Sequence, residues 1–353
     1  MQNKIVEVET IKIPIQPSPG FAKKDLSTYK LDILALCGYG CRYCSSNNGM
    51  YLRRKRAEFR KLTGQQTGKQ VLPSEDPSLM FVYPKILENL REQISKKNPD
   101  WGAGETLVFS MLTDGFSPLM VDQGVTEAAL QMVLDRTSFR IRVLTKNSIV
   151  GEDKWIKFFR RHPDRFVVGL STGNLDDNWA RTIEIGVPVP SERLQALKNL
   201  QAAGVPTFGM LCPVFPHLLD DDSLEKLVDQ TNPQAVEQVW VEPFNDRANW
   251  KIVRSSYPRT SRSFQWITDV YESGHKELWS QYATDLYLRI YRKAVNEGWS
   301  DKLRYLLYEN LITEDDATRL GGLDGILLQS KPDENGLSKN EFIAQYQNAS
   351  KLI

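Results

Sequence analysis

The sequence predicts an α/β fold built on parallel strands, and three observations lead there. After Tyr29, short apolar β-like runs alternate with amphipathic helical patterns. Six strand–helix units follow one another at roughly the 30-residue period that a βαβ unit needs. The composition, 41% hydrophobic, 10% aromatic and 25% charged, is ordinary for a globular chain and excludes disordered and collagen-like classes. The 353 residues suffice for one large domain or two smaller ones. Six parallel strands could form an open doubly wound sheet or a partial barrel. In either case the ligand site lies beyond the strand carboxyl ends.

Leu31–Leu36 (LDILAL) is the first expected strand and leads straight into Cys37. Tyr83–Lys97 reads as a helix with Ile86, Leu87, Leu90 and Ile94 on one stripe. Strand Thr106–Leu112, helix Val125–Asp135 and strand Arg140–Thr145 follow, then helix Glu152–Arg161 and strand Phe166–Ser171. In the next helix Ser191 is a good N-cap, Leu194, Leu197 and Leu200 form the stripe, and Gly204 ends it. Strand Pro206–Leu211, helix Ser223–Asp229 and strand Gln238–Val241 complete the series. Two segments break the rhythm. Thr63–Ser78 is polar and reads as an inserted loop or lid. The chain from Pro243 onward is aromatic and charged, with helical stretches expected at Leu278–Glu297 and Asp301–Leu311. The organisation is thus an N-terminal extension (1–29), the strand–helix body (30–245) and a helical C-terminal extension or cap (246–353).

Met1–Pro14 has no apolar core like that of a signal peptide, and the long uncharged run Asn199–Leu219 is broken by glycines and prolines. The expectation is a cytoplasmic protein with no membrane partner, where thiols stay reduced and clustered cysteines bind metal. The net charge of +1 hides an asymmetry: residues 1–100 carry 17 basic and 10 acidic side chains. The excess concentrates in Arg53–Lys61 (RRKRAEFRK). Arg53, Arg54, Lys55 and Arg56 are candidates for contact with phosphates or an acidic partner, against the alternative of a solvated helix face.

Three of the four cysteines fall in Cys37-Gly-Tyr-Gly-Cys41-Arg-Tyr-Cys44, directly after the first expected strand. Glycines at 38 and 40 let the backbone curl so that three thiolates converge on one metal centre. Zinc in a closed structural site wants four ligands, and a ferredoxin-type cluster wants four cysteines. Three thiolates without a fourth leave one iron of a [4Fe–4S] cluster open to an outside ligand, which suits an enzyme. Cys212, distant in sequence, reads either as a small buried apolar residue or as a hydrogen donor.

The CxxxCxxC motif, with an aromatic residue just before its third cysteine, resembles the signature of the radical S-adenosylmethionine (SAM) superfamily. The resemblance covers about residues 30–242. It implies a partial (β/α)6 TIM-type barrel, a [4Fe–4S] cluster on Cys37, Cys41 and Cys44, and SAM chelating the open iron. It further implies an external one-electron reductant of flavodoxin or ferredoxin type. Reductive cleavage of SAM would give a 5′-deoxyadenosyl radical that takes hydrogen from a substrate.

Four strand ends resemble the spore photoproduct lyase-like branch, whose members are labelled DNA-repair photolyases: Thr113-Asp114-Gly115-Phe116-Ser117-Pro118, Leu144-Thr145-Lys146-Asn147, Leu170-Ser171-Thr172 and Glu242-Pro243-Phe244-Asn245. On that resemblance Tyr43 packs on the adenine and Thr113 meets the amino-acid end of SAM. Lys146 pairs with its carboxylate, and Ser171 hydrogen-bonds the ribose or methionine end. Asp114 and Glu242 read as substrate-facing carboxylates or helix N-caps. A nucleic acid is the implied substrate, with a protein, peptide or small molecule as alternative, and a non-catalytic zinc or iron–sulfur protein as the competing class. Two residues depart from the branch. It places a hydrogen-donor cysteine where this chain has Met111, whose thioether has no S–H, and a tyrosine where this chain has Ser45.

Overall fold

The alternating pattern resolves into one broad sheet and one small one. A computed structural model describes residues 4–48, 56–73, 75–76, 78–246, 248–307, 311–321 and 327–329. In chain order the strands are β1 (Lys4–Glu7), β2 (Ile15–Pro17), β3 (Tyr29–Leu31), β4 (Leu34–Leu36), β5 (Leu79–Val82), β6 (Thr106–Phe109), β7 (Arg140–Thr145), β8 (Phe166–Ser171), β9 (Thr207–Val214), β10 (Val239–Pro243), β11 (Leu303–Leu307) and β12 (Leu327–Gln329). The broad sheet runs β2-β3-β6-β7-β8-β9-β10-β11-β12. From β3 to β12 all neighbours pair parallel, and β2 adds an antiparallel edge. The sheet is open, with β2 and β12 at its edges; β1, β5 and β4 form the separate three-stranded sheet.

Period-two alternation gives the broad sheet two buried faces, as a parallel sheet requires. Ile141 and Val143 of β7 and Phe166, Val168 and Leu170 of β8 pack outward in one large apolar cluster; Val239 and Val241 of β10 pack in a second. The intervening positions Val108, Leu144, Val167, Phe208, Met210, Trp240 and Leu306 form a smaller inner cluster with Leu26. Arg142, also on the inner face, lies 4.5 Å from the Trp240 ring centroid and donates to the Leu26 carbonyl. Trp240 Nε1 donates to the Lys24 carbonyl at 3.0 Å. The Phe21–Leu26 segment therefore stops the amino end of the inner face and leaves the carboxyl ends of the strands as the accessible side.

Several expectations need correction. The first strand is two: Tyr29–Leu31 joins the broad sheet and Leu34–Leu36 joins the small one. Between them Asp32 turns its carboxylate onto the Leu112 and Thr113 amides, at 2.9 and 3.1 Å, which takes the chain out of the ladder. The chain after residue 246 is not a purely helical extension. Its helices include Lys276–Asn296, but Leu303–Leu307 is strand β11, and β12 extends the same sheet. Leu303, Tyr305 and Leu307 are buried on one face and Leu306 on the other, a strand pattern where a helix over 301–311 was expected. The expected polar loop after Thr63 begins inside helix Arg56–Thr67. Ser191 does not cap its helix, which starts at Pro190; its amide and hydroxyl bond to Asp177 instead.

Candidate active site at the strand carboxyl ends

The cysteine loop follows β4 and is strapped down by backbone contacts. Gly38 and Gly40 have φ of 73° and 64°, conformations that cost other residues steric strain. The Gly186 amide donates to the Tyr39 carbonyl and the Arg42 amide to the Ile183 carbonyl, both at 2.8 Å, and Cys41 makes an isolated antiparallel bridge to Glu184. From the other side Asn249 Nδ2 donates to the Cys44 carbonyl at 3.3 Å, and Arg42 Nη1 to Ser256 Oγ at 3.1 Å. The loop is thus held between the segment after helix Asp177–Ile183 and the helix Trp250–Arg254.

The three thiols lie in one small cluster with Tyr39, Tyr43 and Val187. Burial pushes the Cys37 thiol up to about 12, with further increases from Cys44 and Asp114. Burial also raises Cys41, joined by Glu184 and the other two thiols and opposed by Lys146. These thiols would repel one another as thiolates, a repulsion that a cationic metal centre neutralises. Among the described residues no three His, Cys, Asp or Glu side chains are already gathered as a metal-ligand set. The donor chemistry nevertheless fits a thiolate-bound iron–sulfur centre with an incomplete protein ligand set. Both carboxylates that act on the thiols are engaged elsewhere, and His217 bonds to Asn174 at 2.9 Å and Tyr257 at 3.1 Å.

Beside the loop, parallel strands end on a connected polar group. Lys146 Nζ, just past β7, lies 3.1 Å from Ser171 Oγ at the end of β8 and 2.9 Å from Glu184 Oε1. Ser171 Oγ donates to the Cys212 carbonyl on β9 at 2.7 Å. The Tyr43 hydroxyl donates to the same Glu184 oxygen, Lys146 Nζ sits 5.6 Å from the Tyr43 ring centroid, and Arg193 donates to Glu184 Oε2. Burial pushes the Glu184 carboxyl up, but Arg193 and then Lys146 overcome it and hold it at about 2. Arg193 also donates to the Ser171 carbonyl at 2.7 Å.

Asp114 braces this group from beneath. It accepts from Thr145 Oγ1 at 2.8 Å, the Lys146 amide at 2.7 Å and the Phe116 amide at 2.9 Å. Burial pushes it up to about 6 against those bonds. Asp114 is therefore a bracket between the ends of β6 and β7, not a helix cap. Glu242 does not cap a helix either: it accepts from Cys212 Sγ at 3.1 Å. Burial, followed by that carboxylate, pushes the Cys212 thiol well up, so its S–H is retained. Met111 and Cys212 pack on the same inner cluster.

The structure brings Tyr43, Lys146 and Ser171 together, as the sequence motifs lead one to expect, and places Cys212 one strand further along. Thr113 does not join them. Its hydroxyl bonds to Asp32 Oδ1 at 3.1 Å and the Leu34 carbonyl at 3.3 Å, beside a cavity of about 310 Å³ lined by Lys30, Asp32 and Tyr83. Arg53, Arg54 and Lys55, and the side chain of Arg56, lie outside the described residues.

No family model matches the chain. It is 24% identical over 233 residues to an uncharacterized protein of Methanocaldococcus jannaschii, covering 64% of this chain and 74% of that one. An uncharacterized protein of Acidianus two-tailed virus is 20% identical over 255 residues, covering 70% of this chain and 78% of its relative. Among solved structures, spore photoproduct lyase complexed with dinucleoside spore photoproduct superposes with a TM-score of 0.51 at 14% identity. The match covers 85% of this chain and 81% of that chain. The fold is that of spore photoproduct lyase. The relationship read from the CxxxCxxC and strand-end motifs therefore holds at the level of architecture, and the sixfold strand–helix series is part of that broader sheet. No helix among the described residues is long and apolar enough to cross a membrane.

Three site residues escaped sequence reasoning. Glu184 stands between Ile183 and Ile185 in no motif, and Asn249 reaches the cysteine loop across about two hundred residues. Arg193 had a signal. It falls on the buried stripe of helix Pro190–Ala202 with Leu194, Ala196, Leu197 and Leu200, and an arginine there needs a buried partner.

Proposed function

We propose that this chain is a radical SAM enzyme, holding a [4Fe–4S] cluster on Cys37, Cys41 and Cys44 and SAM beside it, and that it abstracts hydrogen from a nucleic-acid substrate. One observation carries the cofactor part of this reading: beside the three-cysteine loop, two buried cations share one carboxylate. The side chains of Lys146, Arg193 and Glu184 are 17%, 1% and 8% exposed. Within this triad the cations outnumber the carboxylate by one; Asp114 offsets part of the excess but bonds the Lys146 amide and not its ammonium, so the ammonium favours a further anionic partner. The carboxylate of an amino-acid ligand is such a partner, and Lys146, the less buried cation, is the one that can meet it.

Bound there, the cluster and SAM supply one-electron cleavage of the sulfonium and a hydrogen-abstracting radical. The chain's own residues do the rest. Lys146 and Ser171 orient the amino-acid end, and the Tyr43 ring, packed 5.8 Å from Phe215, offers a face to the adenine. The inner apolar cluster and the Phe21–Leu26 stop keep water from the amino end of the sheet. Cys212 presents an S–H on the same inner face as Met111, which cannot donate hydrogen. An external one-electron reductant of flavodoxin or ferredoxin type completes the reading.

A nucleic-acid substrate is supported by the fold shared with a protein solved with a dinucleoside photoproduct and by the basic run Arg53–Lys61. The test is anaerobic reconstitution. About four irons per chain and formation of 5′-deoxyadenosine from SAM with dithionite are expected; colourless protein holding stoichiometric zinc overturns the reading. Single-stranded and duplex DNA should bind with salt-sensitive affinity that drops when Arg53, Arg54 and Arg56 become alanine. Unchanged binding in that variant removes the basic run from the substrate argument.

A further inference from the structure

Glu184 is the point where the strand ends and the cysteine loop meet. Its Oε2 is taken by Arg193, which is almost wholly buried and also bonds the Ser171 carbonyl. Its Oε1 is shared by the Lys146 ammonium and the Tyr43 hydroxyl. Its backbone bridges to Cys41, and the Ile183 carbonyl before it accepts from the Arg42 amide at 2.8 Å. One residue is therefore fixed to the cysteine loop through its backbone and to the ends of β7 and β8 through its side chain.

We propose that Glu184 is a positioning residue that sets the Lys146 ammonium, relative to the cysteine loop, to receive the carboxylate of the amino-acid end of SAM. This rests on the cofactor reading above and adds to it a residue that touches neither the cluster nor SAM. Arg193 anchors one carboxylate oxygen, so the other stands at a fixed point. A lysine side chain has four rotatable carbons and would otherwise spread its ammonium over many positions. Lys146 is tied to that fixed oxygen and to Ser171 Oγ, and its third contact, to the Cys212 carbonyl, is long at 3.5 Å, so that donor can turn to an incoming anion. Neutral glutamine cannot replace the carboxylate. Its amide faces Arg193 or Lys146 with N–H groups, and one of those donors loses its acceptor.

The test compares reconstituted wild-type protein with Glu184→Gln, Glu184→Asp, Lys146→Met and the double variant Glu184→Gln/Lys146→Met. Binding of SAM is measured beside that of 5′-methylthioadenosine, which keeps the adenosyl end but has no carboxylate. Glu184→Asp keeps a negative charge for buried Arg193 and serves if Glu184→Gln does not fold. Iron content and circular dichroism report the fold. In folded Glu184 variants SAM affinity should fall roughly tenfold or more, while 5′-methylthioadenosine changes far less. The double variant should bind SAM no worse than Lys146→Met alone, because the two residues act through one contact. Unchanged SAM affinity, an equal loss for both ligands, or additive losses would overturn the proposal. Wild-type protein that binds no SAM would overturn the cofactor reading itself, an outcome separate from any behaviour of the variants.

Discussion

Cys212 Sγ lies 3.1 Å from Glu242 Oε2, so the neighbouring parallel strands β9 and β10 end on a hydrogen-bonded thiol–carboxylate pair. Burial, and after it the carboxylate, holds the thiol protonated and therefore able to give up hydrogen, which the Met111 thioether cannot do. Cys212→Ala should keep its iron and still form 5′-deoxyadenosine, while conversion of substrate to product falls by an order of magnitude or more. Deuterium from heavy water should enter product through the exchangeable S–H in wild-type protein and not in the variant. Unchanged product turnover and labelling would exclude Cys212 as donor.

The clamp on the cysteine loop leads to a second expectation. Asn249 holds the Cys44 carbonyl and Arg42 reaches Ser256, both from the chain beyond β10. Replacing both, as Arg42→Ala/Asn249→Leu, removes the Asn249 bond to Cys44 and the Arg42 bonds to Ser255 and Ser256, and should cost about 1–2 kcal/mol of stability. Iron should leave the folded protein several-fold faster when a chelator is added. An unchanged rate of loss would show that these contacts do not restrain the loop.

Asp114 joins the ends of β6 and β7 through its carboxylate. Asp114→Asn keeps the shape but cannot accept from the Thr145 hydroxyl and the Phe116 and Lys146 amides as a carboxylate does. A loss of about 1–3 kcal/mol in stability is expected, measured as a lower denaturant midpoint. SAM affinity should fall as well, because the Lys146 backbone loses its anchor. A variant as stable as wild type would remove Asp114 from that role.

His217 gives a pH dependence with a definite sign. Burial pushes it down from 6.5 to about 4, against the pull of Asp176 and Asp221. The unfolded chain therefore binds the proton more readily, and the stability due to neutral His217 is lost as pH falls from 6.5 toward 4. Between pH 7 and pH 5 wild-type protein should lose about 2 kcal/mol more than His217→Gln. Equal losses in denaturant titrations at the two pH values would contradict it.

Much of the fold was legible because parallel strands buried on both faces announce themselves as short apolar runs. Arg140–Thr145 and Phe166–Ser171 have the same bounds in sequence and structure. The misread elements failed for local reasons. Leu31–Leu36 looks continuous until Asp32 finds the Leu112 and Thr113 amides, which are distant in sequence. Leu303–Leu307 follows a long helix and carries charges nearby, and its pairing with β10 and β12, both distant or later in the chain, makes it a strand.

The sequence by itself determined the three-cysteine loop, the strand–helix rhythm and the strand-end residues Lys146 and Ser171, because each depends on neighbours close along the chain. Tertiary structure alone decided which groups complete the site. Glu184, Arg193, Asn249 and the partner of Cys212 meet Lys146, Cys44 and Cys212 from elements distant in sequence, and folding places these polar groups in a poorly solvated space where each must find a partner. That requirement joins Lys146 to Glu184 and Glu184 to Arg193 beside the cysteines, and no spacing along the chain encodes it.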